Sequence, residues 1–185
     1  MSPEAITEQT RHWLETVVIG LNLCPFARKV HEQKRIRYSV CFELNTAYCL
    51  DLLLEELKQL DQNPAIATTL LIYAEAFSEF DDYLDLLGLA EDLLIDNGYE
   101  GIYQLASFHP DYRFDSCDDS DPANFTNRSP YPMLHLLRES DLELAIAQHP
   151  DATLIPESNI ALTRNLGLEY MQKHLAACYT KNTNA

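Results

Sequence analysis

Glycine is scarce in this chain, with five in 185 residues, and none of them falls in a G-x-G-x-x-G, G-x-x-x-x-G-K-[ST] or G-x-S-x-G pattern. A glycine-rich phosphate cradle and a nucleophile elbow are therefore excluded. The cysteines (Cys24, Cys41, Cys49, Cys117 and Cys178) are odd in number, scattered, and lack a C-x-x-C pair. That argues against a disulfide framework and a zinc ribbon, and reduced thiols are expected. No apolar run approaches the roughly 20 residues that a bilayer-spanning helix needs. The opening MSPEAITEQTRHW has neither a basic leader nor the apolar core of a secretory signal, so the expected location is cytoplasmic. Positive charge is the largest shortage. Thirteen Lys and Arg stand against 29 Asp and Glu, a net charge of −16, which repels polyanions and anionic lipid at long range. Neither nucleic acid nor a membrane is an expected partner.

The few cations are also unevenly placed. Five of the thirteen (Arg28, Lys29, Lys34, Arg35 and Arg37) lie close together, and from Gln59 to Gln172 there is no lysine. The early cluster is expected to serve the molecule's own acidic helices. In the lysine-free interval the cations are Arg113, Arg128, Arg138 and Arg164. Arginine is the residue for planar, bidentate recognition of carboxylate or phosphate, although each could instead pair with a nearby Asp such as Asp111, Asp115 or Asp118.

A hydrophobic fraction of 46% suits one globular domain over residues 1–185 with a real core. Ser2-Pro3-Glu4 is a helix start, and Ile6, Thr10, Trp13, Leu14, Val17 and Val18 recur at helical spacing to about Gly20. Pro25 can open a short helix, which would place Cys24 at its N-terminus, where the dipole and the basic run favour a thiolate. Strands are expected over 37–42, 67–74 and 101–108, with the apolar second one central and buried on both faces. Helices capped by Thr46 and Ser78 are expected between them, the second with a solvated acidic face (Asp81, Asp82, Asp85, Glu91, Asp92). Further helices are expected from Pro132 to Arg138, from a capping box at Ser140-Asp141-Leu142-Glu143 to His149-Pro150, and from about Glu157 to Cys178, with the tail over 180–185 frayed. Both strand-helix-strand connections are long enough for right-handed crossovers. The expected fold is α/β or α+β, a small three- to four-stranded parallel or mixed sheet with flanking helices and helical termini.

The stretch from Phe108 to Arg138 lacks a simple period over most of its length. The loop over 109–131 carries both polar groups and aromatics (Tyr112, Phe114, Phe125, Tyr131), and loops this long are usually functional or disordered. His109 is expected at the carboxyl end of the third strand, where ligands bind in such sheets. His109 and Asp111 flank a proline and could pair as general base and orienting acid, and Arg113 continues the same row if the backbone stays extended. On a helix from Pro132, His135 and Arg138 would share a face. LNLCPFA, FHPDYRF and NRSPYPMLHLLRE resemble the signature segments of an uncharacterised bacterial family catalogued as domain of unknown function 1415, along nearly the whole chain. That family carries no assigned activity. The resemblance implies a site built from these segments, with Cys24, His109, Asp111, Arg113, Asn127, Arg128, His135 and Arg138 as its polar members.

Three function classes follow. The first is an enzyme acting on or binding a small anionic metabolite, with Arg113, Arg128 and Arg138 holding the anion, Asn127 and His135 as further ligand contacts, His109 and Asp111 moving protons, and Cys24 as an optional nucleophile. The second is a metal protein using His109, Asp111, His135 and Cys24. The third is a non-catalytic binding or adaptor module that presents NRSPYP as an exposed contact. An arginine-rimmed cleft would favour the first, three converging ligand atoms the second, and a flat exposed apolar patch the third. The residues name no particular cofactor. A glutaredoxin-like fold is disfavoured, because a helix precedes Cys-Pro-Phe and position 27 is Ala where a second Cys would sit.

Overall fold

The computed structural model describes residues 1–149 and 151–179. The tail over 180–185 and Pro150, the expected stop of a helix, lie outside the described residues. In chain order the elements are α1 (Pro3–Trp13) continued by a π-helical turn (Leu14–Ile19), α2 (Ala27–Glu32), β1 (Ile36–Cys41), α3 (Thr46–Gln62), β2 (Thr68–Tyr73), α4 (Phe80–Asp96) and β3 (Tyr103–Phe108). A 3₁₀ turn (Pro122–Thr126), β4 (Met133–Arg138), α5 (Glu139–Ala147), a second 3₁₀ turn (Ala152–Leu154), α6 (Ile155–Leu166) and α7 (Leu168–Ala177) complete it.

The sheet has the order β1-β2-β4-β3. β1 and β2 are parallel, and β4 runs antiparallel to both of its neighbours. The fold is therefore α+β with a mixed sheet. β2 (TTLLIY) is buried at every position, as its apolar run requires of a strand covered on both faces. α3 and α4 pack Leu53, Leu57, Leu60, Leu86 and Ala90 against Leu71, Tyr73, Tyr103, Leu134 and Leu136. On the opposite face α1 and its π-helical turn pack Ile6, Trp13, Val17 and Val18 against Leu70, Ile72 and Met133. The π-helical turn widens the helix, so Trp13, Leu14, Val17, Val18 and Ile19 are all buried. Gly20 closes it, because a Cβ there would collide with the Thr16 carbonyl. The acidic side chains of α4 are exposed to solvent, and Arg37 makes a two-pronged ion pair with the buried Glu56 of α3 (2.6 and 2.9 Å).

The segment from Met133 to Arg138 is a strand and not the expected helix. The crossover through α4 sets β3 one position away from β2, and the gap would leave two rows of buried backbone donors and acceptors unpaired. MLHLLR fills the gap and bonds to both strands, which outweighs the helical preference of its leucines. Successive side chains then alternate between faces. His135 falls on the α1 face beside Met133, and Arg138 on the α3/α4 face beside Leu136. They do not share a face.

Smaller corrections have local causes. Asn45, not Thr46, caps α3, accepting the Tyr48 amide at 3.1 Å. Glu79 occupies the N-cap of α4 without a side-chain bond, and Ser78 stands outside it. α5 begins at Glu139, directly after β4, which puts Ser140 inside the helix and leaves the capping box unformed. The single C-terminal helix is two, broken at Gly167 with φ 85°, a conformation that glycine adopts without a Cβ penalty.

Candidate functional site

His109 follows β3 and is completely buried. The Asp111 amide donates to Nδ1 (3.0 Å), so the proton sits on Nε2, which donates to the Phe77 carbonyl (2.9 Å). Phe77 holds a positive φ of 59°, a conformation that costs energy for an aromatic residue and is kept by its surroundings. The imidazole lies against Phe80 and Tyr83, each with a centroid separation of 5.2 Å. Burial lowers its pKa, against opposing effects of the Phe77 hydrogen bond and the Asp111 charge. The contact with Asp111 is made by the backbone amide, and the Asp111 side chain is exposed. Both ring nitrogens of a neutral imidazole are thus committed to backbone groups. In this state His109 is a clamp between the strained turn at Phe77 and the start of the loop.

The loop is closed by the same means. The His109 amide donates to the Asn127 carbonyl and Ser129 N–H to the His109 carbonyl (3.2 and 3.4 Å), while Asn127 Nδ2 donates to the Ser107 carbonyl (3.0 Å). Asn124, buried and not singled out from the sequence, accepts from the Phe114 amide and donates to the Asp118 carbonyl. Arg128 gives Nε to the Tyr112 carbonyl (3.1 Å) and an Nη to the Asp119 carbonyl (3.0 Å). Its guanidinium lies over the Phe125 ring at 4.7 Å, where burial lowers its pKa. Trp13 Nε1 ties the Arg128 carbonyl to α1 (3.0 Å). Arg113 sits outside this lattice in an exposed ion pair with Asp119 (2.9 Å). In NRSPYP, Ser129, Pro130 and Pro132 are buried, so the segment is largely internal.

Arg138 is elsewhere. It pairs with Tyr103, the first residue of β3, whereas His109 follows Phe108, the last, and five strand steps separate the two ends by about 17 Å. Its guanidinium donates to Tyr103 Oη (3.1 Å) and to the Leu60 and Ile66 carbonyls. Asp61 accepts from both Tyr99 and Tyr103 in the same network. The three arginines therefore do not converge on one anion.

Asp121 is held well below the usual carboxylate range by the two-pronged Arg164 pair (3.0 and 2.7 Å), which docks α6 on the loop. Among the described residues no group of three or more His, Cys, Asp and Glu could hold a metal ion, and no helix is long and apolar enough to cross a membrane.

The family model described as protein of unknown function (DUF1415) matches residues 5–173, most of the chain and all three motif segments. The chain belongs to the DUF1415 family. No curated protein and no solved structure matches it.

Two of the polar positions in this DUF1415 member lie on the α1 face of the sheet. His135 stands in register between Leu70 and Ala106. Thr68 Oγ1 donates to the Leu136 carbonyl, so the 2.7 Å contact between Thr68 Oγ1 and His135 Nε2 places the proton on Nε2. No partner is recorded for Nδ1 among the described residues. Burial pushes the pKa of His135 down to about 4, yet the side chain keeps intermediate exposure. The adjacent Ala106, Leu137 and Gln104 are partly or fully exposed. Thr68 escaped the sequence reading. Its only signal was a pair of hydroxyl residues, Thr68-Thr69, opening an otherwise apolar strand.

Cys24 borders the same apolar cluster. It does not stand at the N-cap of α2, a place taken by Phe26. Burial pushes its thiol up and outweighs the lowering by the Phe26 and Ala27 amides. The thiolate expected from the sequence is opposed by desolvation.

Proposed function

We propose that this protein binds a small molecule at the partly exposed His135 on the α1 face of the sheet, with the neutral imidazole as its central polar group. The observation that carries the reading is the state of that imidazole. Nε2–H is fixed by Thr68, leaving Nδ1 as a lone pair that can accept a hydrogen bond from a ligand hydroxyl or amide, or take its proton. Small-molecule sites are typically apolar concavities with few, well-oriented polar groups. This one would be framed by Phe108 and Leu137. The enzymatic form of the reading assigns His135, not His109, as the base. No anion-holding role is assigned to the three arginines of the 108–138 stretch, because Arg128 and Arg138 are engaged with carbonyl groups and Arg113 with Asp119.

Diethyl pyrocarbonate acylates accessible neutral imidazoles and tests this assignment directly. Mass mapping of native protein at neutral pH is expected to find carbethoxylated His135 and unmodified His109. Protection of His135 under conditions that modify the exposed His149 would remove the reading. Native mass spectrometry of the purified protein, compared with the denatured sample, would then identify a retained organic ligand by its mass.

A further inference from the structure

We propose that Cys41 and Cys49 form a reversible intramolecular disulfide, making the turn between β1 and α3 a site of thiol–disulfide modification. This inference is independent of the ligand reading above. The two sulfurs lie 3.9 Å apart. Cys41 is the last residue of β1 and Cys49 lies in the first turn of α3, so the pair spans the short turn joining those elements. Both thiols are directed at one acceptor, the Glu43 carbonyl, at 4.0 and 3.6 Å. The residues covering them, Glu43, Leu44 and Asn45, are exposed, with Leu44 at 67%. The pair therefore lies beside an exposed turn, at the edge of the α3/α4 core.

The chemistry requires a small disulfide of the glutathione class. One cysteine thiolate attacks a sulfur of the oxidised tripeptide, breaking its S–S bond and releasing one glutathione thiolate. The neighbouring thiolate then attacks the protein sulfur of the mixed disulfide, closing the Cys41–Cys49 bond and releasing the second. The protein loses two protons and two electrons, which reduce one oxidised glutathione to two thiols. Burial and the adjacent Cys41 push the Cys49 thiol up to about 12, so the thiolate fraction at neutral pH is small and exchange is slow.

The bond would also act beyond its own turn. Tyr73, whose buried hydroxyl has no hydrogen-bond partner among the described residues, belongs to the same core cluster as both cysteines and packs edge-on against Phe77 at 5.2 Å. The Phe77 carbonyl is the acceptor that holds His109. Cross-linking thus tightens the end of the sheet on which the loop is built.

The test uses the full chain, equilibrated without oxygen across a series of reduced-to-oxidised glutathione ratios. Equilibrium is approached both from reduced protein and from protein oxidised with diamide. Samples are acid-quenched, alkylated in denaturant and mapped by mass spectrometry. The expected product joins the peptides carrying Cys41 and Cys49 with loss of two hydrogens, reaches the same fraction from both directions, and disappears on reduction with dithiothreitol. Replacing Cys24, Cys117 and Cys178 together by Ala is expected to leave that fraction unchanged. Full alkylation of Cys41 and Cys49 at the most oxidising ratio from both directions would overturn the proposal. So would a stable glutathione adduct in place of the bond, or a cross-link found only in protein whose circular dichroism shows it to be unfolded.

Discussion

His109 and His135 are both neutral, both desolvated and both held through Nε2, yet they occupy opposite kinds of environment. His109 has backbone partners on both nitrogens and no exposed surface. His135 has one side-chain partner and remains in reach of solvent. The difference teaches that a histidine in a polar, irregular loop can be wholly structural, while one inside a strand keeps chemical capacity. What matters is which lone pair the backbone leaves over, and a loop without regular structure has many unpaired backbone groups to satisfy.

The largest expected effect separates the two. His109→Ala strands the Phe77 carbonyl and the Asp111 amide in a buried site and removes the support of a strained turn, so a loss of about 2–4 kcal/mol is expected in urea unfolding. His135→Ala is expected to cost less, because Thr68 retains the Leu136 carbonyl as a partner. Equal losses would erase the distinction.

Acid sharpens the comparison. The folded-state pKa of His135 is about 4, against roughly 6.5 for a free imidazole. The unfolded chain therefore binds the proton first, and stability present above about pH 6.5 declines as pH falls toward 4, by up to about 3 kcal/mol for this residue. His109 adds to the same slope in the same direction. Ring NMR signals of His135 should titrate near pH 4, and His135→Gln should flatten the stability profile between those limits. A His135 titration near 6.5 would show that the ring is not desolvated.

Within the loop, Arg128→Lys loses the planar fork that reaches two carbonyls, and a destabilisation of about 1–2 kcal/mol is expected. Arg113→Ala, which breaks one exposed ion pair, should lie within about 0.5 kcal/mol of the parent. A reversal of that order would mean that the lattice around Arg128 is not what holds the loop. The smallest effect is kinetic. Cys24, raised by burial, is expected to alkylate no faster than Cys117 in native protein, and faster labelling would restore the reactive thiol inferred from its motif.

Much of the scaffold was legible from pattern. The apolar run ATTLLIYA, the helical spacing of Leu53, Leu57 and Leu60, and the Asn97-Gly98 stop each describe interactions within or directly beside their own element. MLHLLR was not legible, since a short apolar run is compatible with a strand or a buried helix. The choice was made by the vacancy between β2 and β3, several tens of residues upstream. The candidate site was legible as a set of residues but not as an arrangement. The motif segments contain both histidines and three arginines, but nothing in their spacing reveals that Arg138 ends at the far side of the sheet, or that Thr68 is the partner of His135.

Sequence alone fixes the elements whose causes are local, namely a buried central strand, the helices α3 and α4 packed on it and an acidic outer surface, because propensity, capping and periodicity act over a few residues. Tertiary packing decided that the last motif is a strand, that His109 is sealed while His135 keeps partial exposure, and that burial at Cys24 outweighs the Phe26 and Ala27 amides. Those outcomes depend on which distant backbone groups need partners and on how much water is excluded, and neither quantity exists until the chain has closed on itself.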